Sequence, residues 1–196
     1  MDQQLETTLV VAQAMAEELA DYLMADSLYR QMIIKTPEGT KQPKMTIGAL
    51  LENLETLQWQ RDNLNAQQRA ALDTIAERVD IDRNAFNDPW RALLRRELKA
   101  LLDSWKWYLD DAARDGEARE NYANEARIRT RIDLVMRALA GDSQVVAERK
   151  ELGTLDARLK GMMGPGGYMG PAGEQAHYPK NQAWWLYGKP TGKNDA

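Results

Sequence analysis

Leu and Ala recur three and four residues apart along most of this chain, and that spacing constrains its fold more than any other feature. From Leu5 the apolar positions run through Leu9, Ala12, Ala16, Leu19 and Leu23, which places them on one face of a helix. A second stripe, Val11, Met15, Tyr22 and Tyr29, widens that face, so the first helix, predicted to run to about Ile34, should pack against two neighbours. The β-branched residues that suit a pleated surface are sparse and there is a single Phe, which leaves helix as the favoured state.

The same periodicity predicts five more helices. Thr46 N-caps the second, which carries Ile47, Leu50, Leu51, Leu54 and Leu57 and ends near 59–63. A third covers about 66–79 with Leu72, Ile75 and Val79 inward, and the polar run Asp80–Asp88 reads as a connection. Pro89 suits the first turn of a long fourth helix, whose stripe runs from Trp90 through Leu94, Leu98 and Trp105 to Leu109 and stops near Gly116. The fifth spans about 118–139 and closes at Gly141; the sixth is capped by Asp142 or Ser143 and should bury Val145, Val146, Leu152, Leu155 and Leu159.

Two segments break the pattern. Thr36-Pro37-Glu38-Gly39 is a turn, with Pro pre-set for its second position and Gly free to take positive φ, so the surrounding residues predict a short β-hairpin. Pro43 cannot donate to a ladder, which keeps the second strand short. From Gly161 to Pro171 the density of Gly and Pro ends helix altogether. The expected fold is all-α: an antiparallel helical bundle over residues 1–160 with a small β-hairpin insertion near 32–45, then an extended Gly/Pro/aromatic C-terminal tail over 161–196. A length of 196 residues, 43% of them hydrophobic, suits one core with such an appendage.

Composition removes several chemistries. Without Cys there is no disulfide framework, thiolate zinc site or Cys nucleophile. The one His, His177, lies in the tail, which removes the Glu-x-x-His di-iron bundle, a His-based helical nuclease and a Ser-His-Asp triad. A net charge of −4 argues against a surface built to neutralise phosphates. Arg91 and Arg95, and Arg127 and Arg131, share helical faces, but Glu97, Asp103, Glu125 and Asp133 interleave with them, which predicts salt-bridged surfaces and no nucleic acid. Met1-Asp2-Gln3-Gln4 has no basic region before an apolar run, and no apolar stretch reaches the roughly 20 residues of a membrane span. The expectation is a cytoplasmic protein without a membrane partner.

Paired carboxylates are what remains of enzyme chemistry. Glu18 and Asp21, and Glu52 and Glu55, each lie three apart, so each pair projects from one helical face. These pairs resemble the Glu-x-x-Glu and Glu-x-x-Asp pairs of the MazG-type all-α nucleotide pyrophosphohydrolases. The resemblance implies Mg²⁺ held by Glu18, Asp21, Glu52 and Glu55 and water activated at a phosphate. The order is reversed here, since the Glu-x-x-Glu pair comes second; Glu77-x-x-Asp80 restores the order but lies where a helix is expected to end. The simpler reading is a solvated helical face, with no metal and no catalytic residue.

The aromatic residues point elsewhere. Trp90 and Trp105 belong to the fourth-helix stripe, Trp107 falls off it, and Trp184, Trp185, Leu186 and Tyr187, with Tyr178, lie beyond any helix. A large indole must be buried, stacked or docked, so the tail is expected to anchor on its own bundle, on a protein partner or on a second copy. The function expected is non-catalytic binding or scaffolding through protein–protein contacts, without a cofactor; the alternative is the Mg²⁺-dependent hydrolase.

Overall fold

The computed structural model describes residues 3–171 and 173–192. The protein is all-α with a small β insertion: eight α-helices and four short strands among the described residues. Its chain divides into two compact units, Met1–Glu97 and Leu98–Ala196, and the division falls inside one long helix.

In the first unit, α1 (Gln3–Glu17) packs on α3 (Ile47–Trp59) and α4 (Ala66–Ala85), the two neighbours its widened stripe requires. Leu5, Leu9, Ala12, Met15 and Ala16 are buried there. The chain turns at Glu18 without losing the ladder, because the Glu18 N–H still reaches the Ala14 carbonyl (3.3 Å) and Tyr22 N–H the Glu18 carbonyl (2.9 Å). Then α2 (Leu19–Met24) ends ten residues short of Ile34. Asp26 sits at φ +46°, a left-handed conformation that stops a helix. The Tyr22 hydroxyl donates to the Leu28 carbonyl at 2.8 Å and folds the following loop back.

The hairpin is longer than its turn predicts. β2 (Ile34–Thr36) pairs with β3 (Gly39–Lys41), Thr36 opposite Gly39, and β1 (Arg30–Gln31) pairs with β4 (Lys44–Met45), Arg30 opposite Met45. Met32 N–H donates to the Pro43 carbonyl at 3.0 Å between the two ladders. Gly39 stands at φ +102° with no atom near the place a Cβ would take. Gly39→Val is therefore expected to cost about 1 kcal/mol or more through the backbone alone. Thermal melts and amide exchange over 30–45 check this, and unchanged values would count against a strained turn.

The Thr46 side chain accepts from Ala49 N–H at 3.0 Å, the N-cap expected of it. The cap has a second member. Glu97, 3% exposed, accepts from the Thr46 hydroxyl at 2.5 Å and from Gly48 N–H at 2.8 Å. Asn65 and Gln68 form a capping box on α4, which continues to Ala85 past the polar stretch read as a connection. Ion pairs Arg83–Asp80 (3.1 Å) and Arg78–Asp82 (4.0 Å) line that last part at helical spacing. Only Phe86 separates α4 from α5 (Asn87–Ala112).

In the second unit the remainder of α5 joins α6 (Gly116–Glu120), α7 (Tyr122–Ala138), α8 (Val146–Met162) and the tail. Leu98, Leu102, Trp105, Leu109, Tyr122, Ile132, Val135 and Leu159 are buried. The helix expected over 118–139 is split at Asn121, whose carbonyl accepts from Asn124 and Glu125. Gly116 opens α6 instead of closing α5, because Asp115 caps Glu117 N–H at 3.0 Å. Gly141 takes φ +76° beyond α7, and Asp142 caps the 3₁₀ turn that leads into α8. That turn buries Val145 but leaves Val146, expected on the buried side, 64% exposed, because successive helical residues point about 100° apart and cannot both face the core.

Arg158 ties α8 to α5 through Asp110 (2.5 Å) and the Leu109 carbonyl (2.8 Å). Its hydrogen bond holds the Asp110 carboxyl below the ordinary carboxylate range, as the Arg61 hydrogen bond does for Asp73 in the first unit. A carboxyl depressed in the folded state stabilises above its unfolded value of about 4, and that contribution disappears as pH falls through the folded value. The melting-temperature gap between the protein and Asp110→Asn should thus shrink from pH 5 to pH 3. A gap independent of pH would show that the pair contributes nothing through ionisation.

Candidate functional site

Residues 163–169 and 186–191 run back along one another. Gly164 N–H donates to the Lys189 carbonyl (2.9 Å), Met169 to Leu186 (2.7 Å), Gly188 to Gly167 (3.0 Å) and Thr191 to Met162 (2.8 Å). The loop delivers a 3₁₀ turn, Trp184–Leu186, to α7. Trp185 is 3% exposed. Its indole N–H donates to Thr130 Oγ1 at 3.0 Å, and its carbonyl accepts from the Tyr122 hydroxyl. The Arg129 guanidinium lies 4.0 Å above the indole and forks onto Asp156 at 2.8 and 2.9 Å. Lys160 stands 4.6 Å over the half-buried Trp184, and the two indoles meet edge to face. The Tyr187 hydroxyl reaches the Tyr178 carbonyl at 2.8 Å, Tyr187 packs on Tyr168, and Leu186 is buried. His177 leans edge-on against Tyr178. Burial pushes the Tyr168 phenol up to about 12.

The four paired carboxylates are placed differently. Glu18 is held by Arg30 at 2.7 Å, Asp21 is exposed, and Glu52 and Glu55 are half-buried on α3 with interactions of their own. Among the described residues no three His, Asp or Glu side chains come together as a metal site requires.

A groove on the second unit has another character. Trp107 is 73% exposed. Asp103 and Asp111 lie four residues to either side of it on α5, so a carboxylate stands one turn above and one turn below the indole. With Tyr108, and with Glu125 and Ile128 from α7, they line a groove of about 460 Å³. Glu125 accepts from Asn121 Nδ2 at 3.0 Å. Tyr108 is 7% exposed, stacks on Trp105 at 5.3 Å, and its hydroxyl has no hydrogen-bond partner among the described residues. A second hollow of about 720 Å³ shares Asp111 and is lined further by Arg114, Asp115, Glu117 and Glu120.

No family model matches this chain. No curated protein and no solved structure matches it either.

The groove offers an exposed aromatic face and unneutralised carboxylates, which suit a cation and an apolar stem far better than an anion. The sequence carried the signal in the spacing Asp103-x-x-x-Trp107-x-x-x-Asp111. These three residues lie off the buried stripe of α5, where Trp107 alone stands out by composition. The partner of Arg129 was equally hidden, since Asp156 is 27 residues away on another helix.

Proposed function

We propose that this protein is a non-catalytic helical binding or scaffold protein that acts through protein–protein contacts in the cytoplasm. The observation that carries the reading is Trp107, an indole left 73% exposed at the edge of a groove. Leaving that much apolar area in water forfeits on the order of 2 kcal/mol that a partner surface recovers. The tail aromatics Tyr178, Trp184, Trp185, Leu186 and Tyr187 serve the second unit in this reading. The net charge of −4 supports a protein partner over nucleic acid. Among the described residues no helix is long and apolar enough to cross a membrane.

The test is site-specific photocrosslinking in the native cell. A benzoylphenylalanine at position 107 should trap one discrete species, either a heterologous protein or a second copy. The same probe at Val146, itself 64% exposed on α8, should not. Equal and diffuse labelling at both positions would overturn the reading.

A further inference from the structure

From the groove around Trp107 we infer the chemistry of its occupant: an arginine side chain on a basic segment of a partner protein. The inference rests on the docking role proposed above and goes further by naming what docks.

The second unit already contains the complete arrangement once. Over Trp185, the Arg129 guanidinium lies 4.0 Å from the indole while its fork engages Asp156 at 2.8 and 2.9 Å. An indole face and a carboxylate thus hold one planar cation between them, with electrostatic attraction to the ring and bidentate hydrogen bonds to the acid. At Trp107 the indole and the carboxylates recur without the cation. Asp103 and Asp111 flank the ring along α5, and Glu125 of α7 lines the same groove. Among the described residues no cation lies over the Trp107 ring and no ion pair engages Asp103 or Asp111.

Arg158 is paired with Asp110, whose carboxyl also feels the charges of Lys106 and Arg114; Arg114 lines the adjoining hollow beside Asp111 without an ion pair to it. Tyr108, which also lines the groove, is a second observation independent of the acidic cluster, since its buried hydroxyl lacks a hydrogen-bond partner among the described residues. Charge selects a cationic occupant. Arginine is preferred to lysine because a planar guanidinium stacks on the ring and forks onto a carboxylate at once, whereas an ammonium remains strongly hydrated.

The probe is the hexapeptide acetyl-Gly-Ser-Arg-Arg-Gly-Ser amide, titrated into the full-length protein and followed by the indole N–H resonances in NMR. The Trp107 signal is assigned by its loss in Trp107→Phe. It should shift saturably, and citrulline in place of both arginines should abolish the shift. With binding followed by calorimetry, which needs no Trp107 signal, Trp107→Ala should weaken it roughly fivefold, and Asp103→Asn with Asp111→Asn by about tenfold at low salt. All three positions line an open groove, and circular dichroism verifies that each variant folds. A Trp107 resonance that stays in place, or equal binding of the citrulline peptide, overturns the inference. If crosslinking at position 107 still traps a partner, the docking role stands and only the cationic chemistry fails. If the peptide binds and crosslinking traps nothing, the chemistry stands and the protein partner fails.

Discussion

Replacing Trp185 with alanine should cost about 4 kcal/mol of the stability of the second unit, the largest effect expected of any single side chain in the tail. The side chain is 3% exposed, so its removal leaves a cavity and also unmakes two polar arrangements. Thr130 loses the indole donor, and Arg129, whose side chain is only 5% exposed, loses the ring beneath its guanidinium. Trp185→Phe separates the contributions, because it keeps a ring under Arg129 and forfeits the N–H bond, and it should cost about 1–2 kcal/mol. Urea unfolding, with amide exchange along α7 to localise the loss, measures both. A Trp185→Ala variant within 1 kcal/mol of the parent would mean that the tail rests on the helix without stabilising it.

The second large effect is expected at Glu97. Its carboxylate accepts from Gly48 N–H and from the Thr46 hydroxyl, which in turn caps Ala49. Glu97→Ala leaves these donors buried without an acceptor and removes an acidic group from a helix N-terminus, for a loss of about 3 kcal/mol. Glu97→Gln keeps one acceptor and the side-chain volume, and should lose about half as much. Thr46→Ala should cost about 1 kcal/mol in the parent and less beside Glu97→Ala, because the two side chains form one network. Additive losses in the double variant would show that the two caps act independently.

How far this arrangement was legible depends on the range over which each residue acts. The helical stripes, the Thr46 cap, the turn at Gly39 and the stop at Gly141 are local properties, and the structure shows each where the spacing places it. Helix breaks at Glu18 and Asn121 escaped notice because the apolar rhythm continues through both. The outer strand pair escaped because Arg30 and Gln31 carry no alternating pattern and are paired only by a ladder begun at Gly39. Glu97 read as one more acid interleaved among arginines; its role depends on a backbone amide 49 residues away. The tail aromatics announced themselves by composition, yet nothing near Trp185 in the chain indicates Thr130, Tyr122 or Arg129 as its partners.

The route of the tail also sets an order of events during synthesis. Every contact described for the first unit lies between residues made by position 97, so those contacts can form while the rest of the chain is still being translated. The second unit waits for residues 184–191, which supply the indole over Arg129 and the backbone bonds to Met162 and Gly164. Until then Arg129, Thr130 and the Tyr122 hydroxyl face water or a chaperone. Slow translation of the last codons of this stretch would therefore prolong the exposure of α7 without removing any contact described for the first unit.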